Sequence, residues 1–197
     1  MSEKARKVLR LPAWDYTSPG AYFVTICCHQ KQLLFEDERL SETARRCWEA
    51  IPEHFPAVEL DAFVVMPNHV HGVIWIRTPR AVVAQHAEPL RPEVSDKPEM
   101  PERRGMQPGS LGAIVRSFKA AVTRDARVLR LLNTDSPLWQ RNYYERVVRD
   151  DDELNRIREY IALNPARWAS DGENPGRVLD AEYERDWHWL EDGMVVP

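Results

Sequence analysis

Two short stretches of the chain carry side chains that could do chemistry together. In MPNHVHGVIWI, residues 66–76, His69 and His71 flank Val70. Alternate side chains of an extended strand share a face, so both imidazoles leave the same side. Two neutral imidazoles on one face supply half of a metal site, although the same spacing serves hydrogen-bonded structural histidines. Gly72 follows directly, and glycine inside a strand often marks the close approach of a backbone or a ligand. In DDELNRIREYIALNPARW, residues 151–168, Leu154, Ile157 and Ile161 form the buried stripe of a short helix. Tyr160 and Asn164 are four apart and stack on one face of that helix. A tyrosine hydroxyl is a potential nucleophile once its electrophile is polarised. An asparagine amide oxygen is a hard ligand suited to Mg2+ or Mn2+. Read without the histidines, the same helix favours a core-edge aromatic and a plain C-terminal cap before Pro165.

The surrounding sequence supplies elements that could position these groups. AYFVTICC, residues 21–28, follows a Ser-Pro-Gly turn and reads as a buried strand. Ser41 opens a helix with Ala44, Cys47, Trp48 and Ile51 at helical spacing and Pro52 near its end. VELDAFVVM and HVHGVIWI are two strands separated by Pro67-Asn68, whose turn chemistry makes them an antiparallel hairpin. Ser110 caps a helix over LGAIVRSFKAAVTRDARVL, with one stripe of Leu111, Ile114, Val115, Phe118, Val122 and Leu129. LWQRNYYERVV holds the fourth strand and its approach. Asp150 to Asp152 then place negative charge at the start of the Tyr160 helix, where the macrodipole favours it. The order β-α-β-β-α-β, followed by an additional C-terminal helix bearing Tyr160, predicts an α+β fold with a ferredoxin-like antiparallel sheet.

A chain of 197 residues, 43% hydrophobic and 29% charged, fits one globular domain over 1–197. Residues 78–109, interrupted by six prolines from Pro79 to Pro108, read as a mobile loop insertion, and residues 171–197 as an acidic tail. No apolar run is long enough to span a bilayer and no secretory signal opens the chain. Cys27, Cys28 and Cys47 contain no CxxC pair, so disulfide and zinc-ribbon readings are weak and a reducing cytoplasm is the natural compartment.

The net charge of -4 argues against nucleic acid, but its distribution does not. Between Arg103 and Arg149 stand Arg103, Arg104, Arg116, Lys119, Arg124, Arg127, Arg130, Arg141, Arg146 and Arg149, against only Asp125, Asp135 and Glu145. A basic middle beside an acidic end suggests a nucleic-acid face, and solvated arginine-rich helix faces account for the charge about as well. Arg116, Lys119, Arg124, Arg127, Arg141 and Arg146 are the candidate phosphate contacts. Tyr143 and Tyr144, with Trp139, are candidates for stacking on exposed bases; packing under the sheet is the alternative for some of them.

VVMPNHVHGVIWI, GSLGAIVRSFKAAVTR, LWQRNYYERVVRDDDELNRIREYI and LNPARW together resemble the single-tyrosine HUH transposase family, specifically its REP-associated tyrosine transposase-like branch. The resemblance runs from about Tyr22 to Trp168. It implies a ferredoxin-like sheet bearing His69 and His71 as metal ligands, Tyr160 as the nucleophile on a mobile helix, and Asn164 at the position of a third ligand. It also implies a divalent cation, Mg2+ or Mn2+, and single-stranded or hairpin DNA as substrate, cut and rejoined through a 5′-phosphotyrosine by a monomer or a homodimer. The long proline-rich insertion and the tail after Asp171 depart from it. Two rivals stand beside this reading: a domesticated, non-catalytic DNA-hairpin-binding protein, and a metal-dependent hydrolase whose histidines activate water.

Overall fold

The computed structural model describes residues 14–78 and 107–191. The body of the expected proline-rich insertion, with Arg103 and Arg104, lies outside these residues. Strand β1 (Gly20–Cys27) is followed by helices α1 (Glu38–Glu49) and α2 (Ile51–His54), the hairpin β2 (Val58–Met66) and β3 (His69–Ile76), helix α3 (Leu111–Val128), strand β4 (Tyr144–Val147) and helix α4 (Asp151–Leu163). A 3-10 turn over Asn164–Ser170 then leads to helix α5 (Ala181–Glu191). The sheet order is β2-β3-β1-β4, with every neighbouring pair antiparallel. Two interleaved split β-α-β units produce this order, so the expected ferredoxin-like α+β fold is the observed one. Among the described residues no helix is long and apolar enough to cross a membrane.

Local chemistry sets the element ends. Helix α1 starts three residues before the expected Ser41, because the Asp37 side chain accepts from Arg39 N at 2.9 Å and so caps the helix there. Ser110 caps α3 through Ala113 N, as the sequence suggests, and Asp150 caps α4 through Glu153 N at the acidic helix start expected there. The stretch expected to be a tail is folded: Tyr183, Trp187 and Leu190 of α5 are buried against Ala21, Phe23, Val73 and the apolar stripe of α4. Apolar spacing in α5 was masked by its acidic surface residues. Ion pairing between Arg177 and Glu184 ties the approach to this helix.

The sheet has two covered faces. Tyr22, Val24, Ile26, Val70 and Ile74 pack under α1 and α3, whereas Ala21, Phe23, Val73 and Tyr144 pack under α4 and α5. Gly72 lies on the first of these, facing away from the histidines. What approaches it is the Trp48 indole rather than a backbone or a ligand: a Cβ there would fall 2.5 Å from Trp48 Cη2 and closer still to Cζ2. Trp48 cannot yield, because it stacks on Phe63 at 4.4 Å and meets Phe118 edge-on at 5.4 Å. Gly72→Ala is therefore expected to cost about 2–3 kcal/mol of stability by overpacking. Urea unfolding checks this; a midpoint equal to the wild type's would mean that the indole has room to move.

Candidate active site

Strand alternation puts His69 and His71 together on the α4 face of β3, both fully buried. Their Nε2 atoms stand 2.8 Å apart, and the rings meet at a centroid distance of 4.3 Å. Each Nδ1 has its own partner, Asn68 Oδ1 at 2.7 Å for His69 and Thr25 Oγ1 at 2.8 Å for His71. Both rings therefore turn their Nε2 atoms into one small volume. The 3-10 turn carries the chain back across this volume, with Trp168 at 6.1 Å from the His69 ring. It delivers Asp171, whose Oδ2 lies 3.9 Å from His69 Nε2 and 4.0 Å from His71 Nε2.

Asp171 is 1% exposed; its Oδ1 accepts from Glu173 N at 2.7 Å, and among the described residues its Oδ2 has no partner within hydrogen-bond distance. A buried carboxylate oxygen with no donor is costly unless a cation or proton faces it. One ligand atom from each of His69, His71 and Asp171 lies within 4.8 Å of the others, a group that could hold a metal ion. The donor set of two imidazoles and one carboxylate suits a first-row divalent cation. Burial and the neighbouring His71 push the pKa of His69 down to about 3. Burial alone would raise the Asp171 carboxyl, but the two imidazoles outweigh it and hold it below its ordinary value. His69 is thus neutral at neutral pH and Asp171 is an anion, the protonation states that ligation requires of them.

Helix α4 brings Tyr160 to the same place. Its hydroxyl oxygen lies 3.4 Å from His71 Nε2, and its ring meets His71 at 5.1 Å, Phe23 at 6.1 Å and Trp187 at 5.3 Å. Tyr160 is only 2% exposed, with Trp187 of α5 over it. Asn164 caps α4 one turn further on; it is 1% exposed, and among the described residues neither atom of its amide has a hydrogen-bond partner. Asp171 is the residue that sequence reasoning missed. It was counted with the tail, and no spacing rule links it to the histidines 100 and 102 positions earlier.

The position of α4 depends on a lateral anchor. Arg158 grips Asp61 of β2 with Nε at 2.9 Å and Nη2 at 2.6 Å, and Trp75 Nε1 adds a third bond at 3.1 Å. The Arg158 hydrogen bond chiefly holds the Asp61 pKa at about 2, against an ordinary value near 3.8. A depressed carboxyl stabilises the fold above its unfolded pKa, and the benefit is lost as pH falls from about 4 toward 2. With the Arg158 side chain 44% exposed, screening leaves about 1 kcal/mol. Asp61→Asn is expected to lower stability by that amount at pH 7 and by almost nothing near pH 2. Denaturant titrations at the two pH values check it; a deficit that persists unchanged in acid would assign the loss to packing instead.

The candidate DNA contacts are scattered. Arg116, Arg124 and Arg127 are exposed on α3, on the opposite side of the sheet from the histidines, and Arg141 is exposed ahead of β4. Lys119 corrects its expected role: its ammonium donates to the carbonyls of Gln140, Arg141 and Asn142 at 2.6, 3.3 and 3.4 Å, and burial pushes its pKa down to about 8. Arg146 is likewise engaged, with Glu153 at 2.7 Å and the carbonyl of Trp189 at 3.2 Å. Tyr144 is buried among the α4 and α5 side chains, and Tyr143 packs partly buried against the other face. Tyr144 offers no free ring for a base, whereas Tyr143 is only partly covered.

No family model matches the chain. Over 175 residues it is 39% identical to an uncharacterized protein of Haemophilus influenzae, covering 84% of this chain and 91% of that one. It is 22% identical over 156 residues to a putative REP-associated tyrosine transposase of the same organism, covering 78% of this chain and 74% of the relative. The structure of the REP-associated tyrosine transposase bound to a REP hairpin superposes with a TM-score of 0.52 at 18% identity, over 81% of this chain and 74% of that chain. The chain belongs to one family with the uncharacterized Haemophilus influenzae protein, and its fold is that of the REP-associated tyrosine transposase.

Proposed function

We propose that the chain is a metal-dependent single-tyrosine transposase or nuclease that cleaves and rejoins single-stranded, hairpin-containing DNA. The observation that carries this reading is the convergence of His69, His71, the unpartnered Oδ2 of Asp171 and the Tyr160 hydroxyl in one buried site. Tyr160 Oη attacks the scissile phosphorus and loses its proton as the bond to the 3′ oxygen breaks. The leaving 3′-hydroxyl takes up a proton, and the 5′-phosphate stays on the tyrosine. A second 3′-hydroxyl can then reverse the step and join a new strand. A divalent cation held by His69, His71 and Asp171, with Asn164 as a further candidate ligand, would supply positive charge against the phosphate oxygens and the ionising phenol. The phenol needs that help, since an ordinary tyrosine is mostly protonated at neutral pH.

Hairpin DNA is suggested by what the related structure holds, and the exposed arginines of α3 give a surface that could neutralise phosphates. Binding should therefore weaken steeply with salt, and Arg124→Glu should weaken it further. Fluorescence anisotropy across a salt series tests this; a flat dependence would leave α3 no phosphates to contact.

A second reading, DNA binding without cleavage, draws on the closure of the site. Tyr160 and both histidines are sealed beneath Trp187 and the 3-10 turn, so a phosphate reaches them only after that cover moves. Incubation with hairpin-containing single strands and Mn2+, followed by denaturing electrophoresis, separates the readings. The transposase forms a covalent protein–DNA adduct. A binder alters neither component, and a hydrolase leaves cut strands with no protein attached.

A further inference from the structure

We infer that Asn68 is a positioning residue that locks His69 into one tautomer and holds the Asp171 turn against it. Asn68 is fully buried in the hairpin between β2 and β3. Its Nδ2 donates to the carbonyl of Glu173 at 2.8 Å and to that of Lys31 at 3.3 Å. Carbonyls only accept, so the amide cannot be turned over, and Oδ1 is the atom that faces His69 Nδ1 at 2.7 Å. An amide oxygen also only accepts, so the hydrogen is on Nδ1 and Nε2 keeps its lone pair for the site. On its other side, the residue that receives the Asn68 hydrogen bond orients the carboxylate: Glu173 N donates to Asp171 Oδ1 at 2.7 Å, which leaves Oδ2 for the site. One amide thus sets a histidine and a carboxylate 102 positions apart, Asp171 following His69 in sequence by that distance.

His71 is held differently. Its Nδ1 meets the Thr25 hydroxyl at 2.8 Å, and a hydroxyl can donate or accept. With His69 Nε2 unprotonated and 2.8 Å away, the metal-free His71 carries its hydrogen on Nε2 and donates it to His69. Ligation requires that hydrogen to move to Nδ1, and Thr25 permits the change by reversing its hydrogen bond. His69 is therefore a fixed ligand and His71 a switching one.

This inference rests on the metal reading above, but its first test uses no metal. Long-range proton–nitrogen NMR of the metal-free protein, with 15N-labelled histidine, is expected to show His69 as the Nδ1–H tautomer and His71 as Nε2–H. In Asn68→Ala, His69 is expected to lose the uniform Nδ1–H form, and Mn2+ affinity by calorimetry to fall about 10- to 100-fold. Asn68→Asp retains an acceptor for Nδ1 and should retain the tautomer. Finding His69 as Nε2–H in the wild type would overturn the inference, and so would unchanged Mn2+ affinity in Asn68→Ala. Where Asn68→Ala does not fold, the wild-type spectrum alone decides. Failure of the wild type to take up Mn2+ while His69 is Nδ1–H would sink the metal reading and leave the tautomer lock standing.

Discussion

Replacing Tyr160 by Phe is expected to abolish the covalent protein–DNA adduct while leaving hairpin binding and Mn2+ affinity close to wild type. The substitution removes one oxygen from a ring whose position is set by Phe23, His71 and Trp187. The ring contacts persist, so the fold should too. Loss of a covalent nucleophile lowers the rate by a factor on the order of 10^4 or more, which puts adduct formation below detection. Tyr143→Phe and Tyr144→Phe should keep it. Tyr143 packs against the far face of the sheet, and Tyr144 is buried with its hydroxyl bonded to Arg146. Mass spectrometry of a trapped, nuclease-trimmed adduct locates the attached nucleotide. Its appearance on Tyr143 or Tyr144, with Tyr160→Phe still active, would overturn the assignment.

The second large effect concerns the cation. His69→Ala or His71→Ala should weaken Mn2+ binding more than about 100-fold, since each removes a direct ligand where even an outer partner is worth 10- to 100-fold. Asp171→Ala should match them if its unpartnered Oδ2 faces the ion. Asn164→Ala is the informative contrast, because its amide is also buried without a partner among the described residues. A loss confined to Asp171→Ala would place the third ligand on the turn after α4, and a loss confined to Asn164→Ala would place it on the helix end. Calorimetry on the four variants, with circular dichroism to establish folding, measures this. Unchanged affinity in both histidine variants would dispose of the site. Adduct formation should fall in parallel with metal affinity, since the phenol depends on the cation to ionise.

How far these sites could be read without coordinates varies with the distance over which their parts interact. The histidine pair was legible because strand period is local: residues two apart share a face whatever the rest of the chain does. The caps at Ser110 and Asp150, the hairpin around Pro67-Asn68 and the sheet order followed from signals within a few residues of each element. Helix periodicity placed Tyr160 and Asn164 on one face, but it could not say which way that face points. Nor could it show that Lys119 and Arg146 spend their charges on carbonyls and Glu153, since both partners are set by packing between elements.

Asp171 marks the boundary most clearly. Its chemistry as a carboxylate is written in the chain, as are the two imidazoles and the phenol. Its place beside them depends on a 3-10 turn that doubles back after α4 and on the Asn68 amide that donates to the Glu173 carbonyl there. The same folding buries the apolar side of α5, whose acidic surface reads as a solvated tail until the partner face of the sheet is known. Local geometry decides which groups a segment can present. Burial against distant segments decides which of those groups meet, because only the packed chain sets the distances between them.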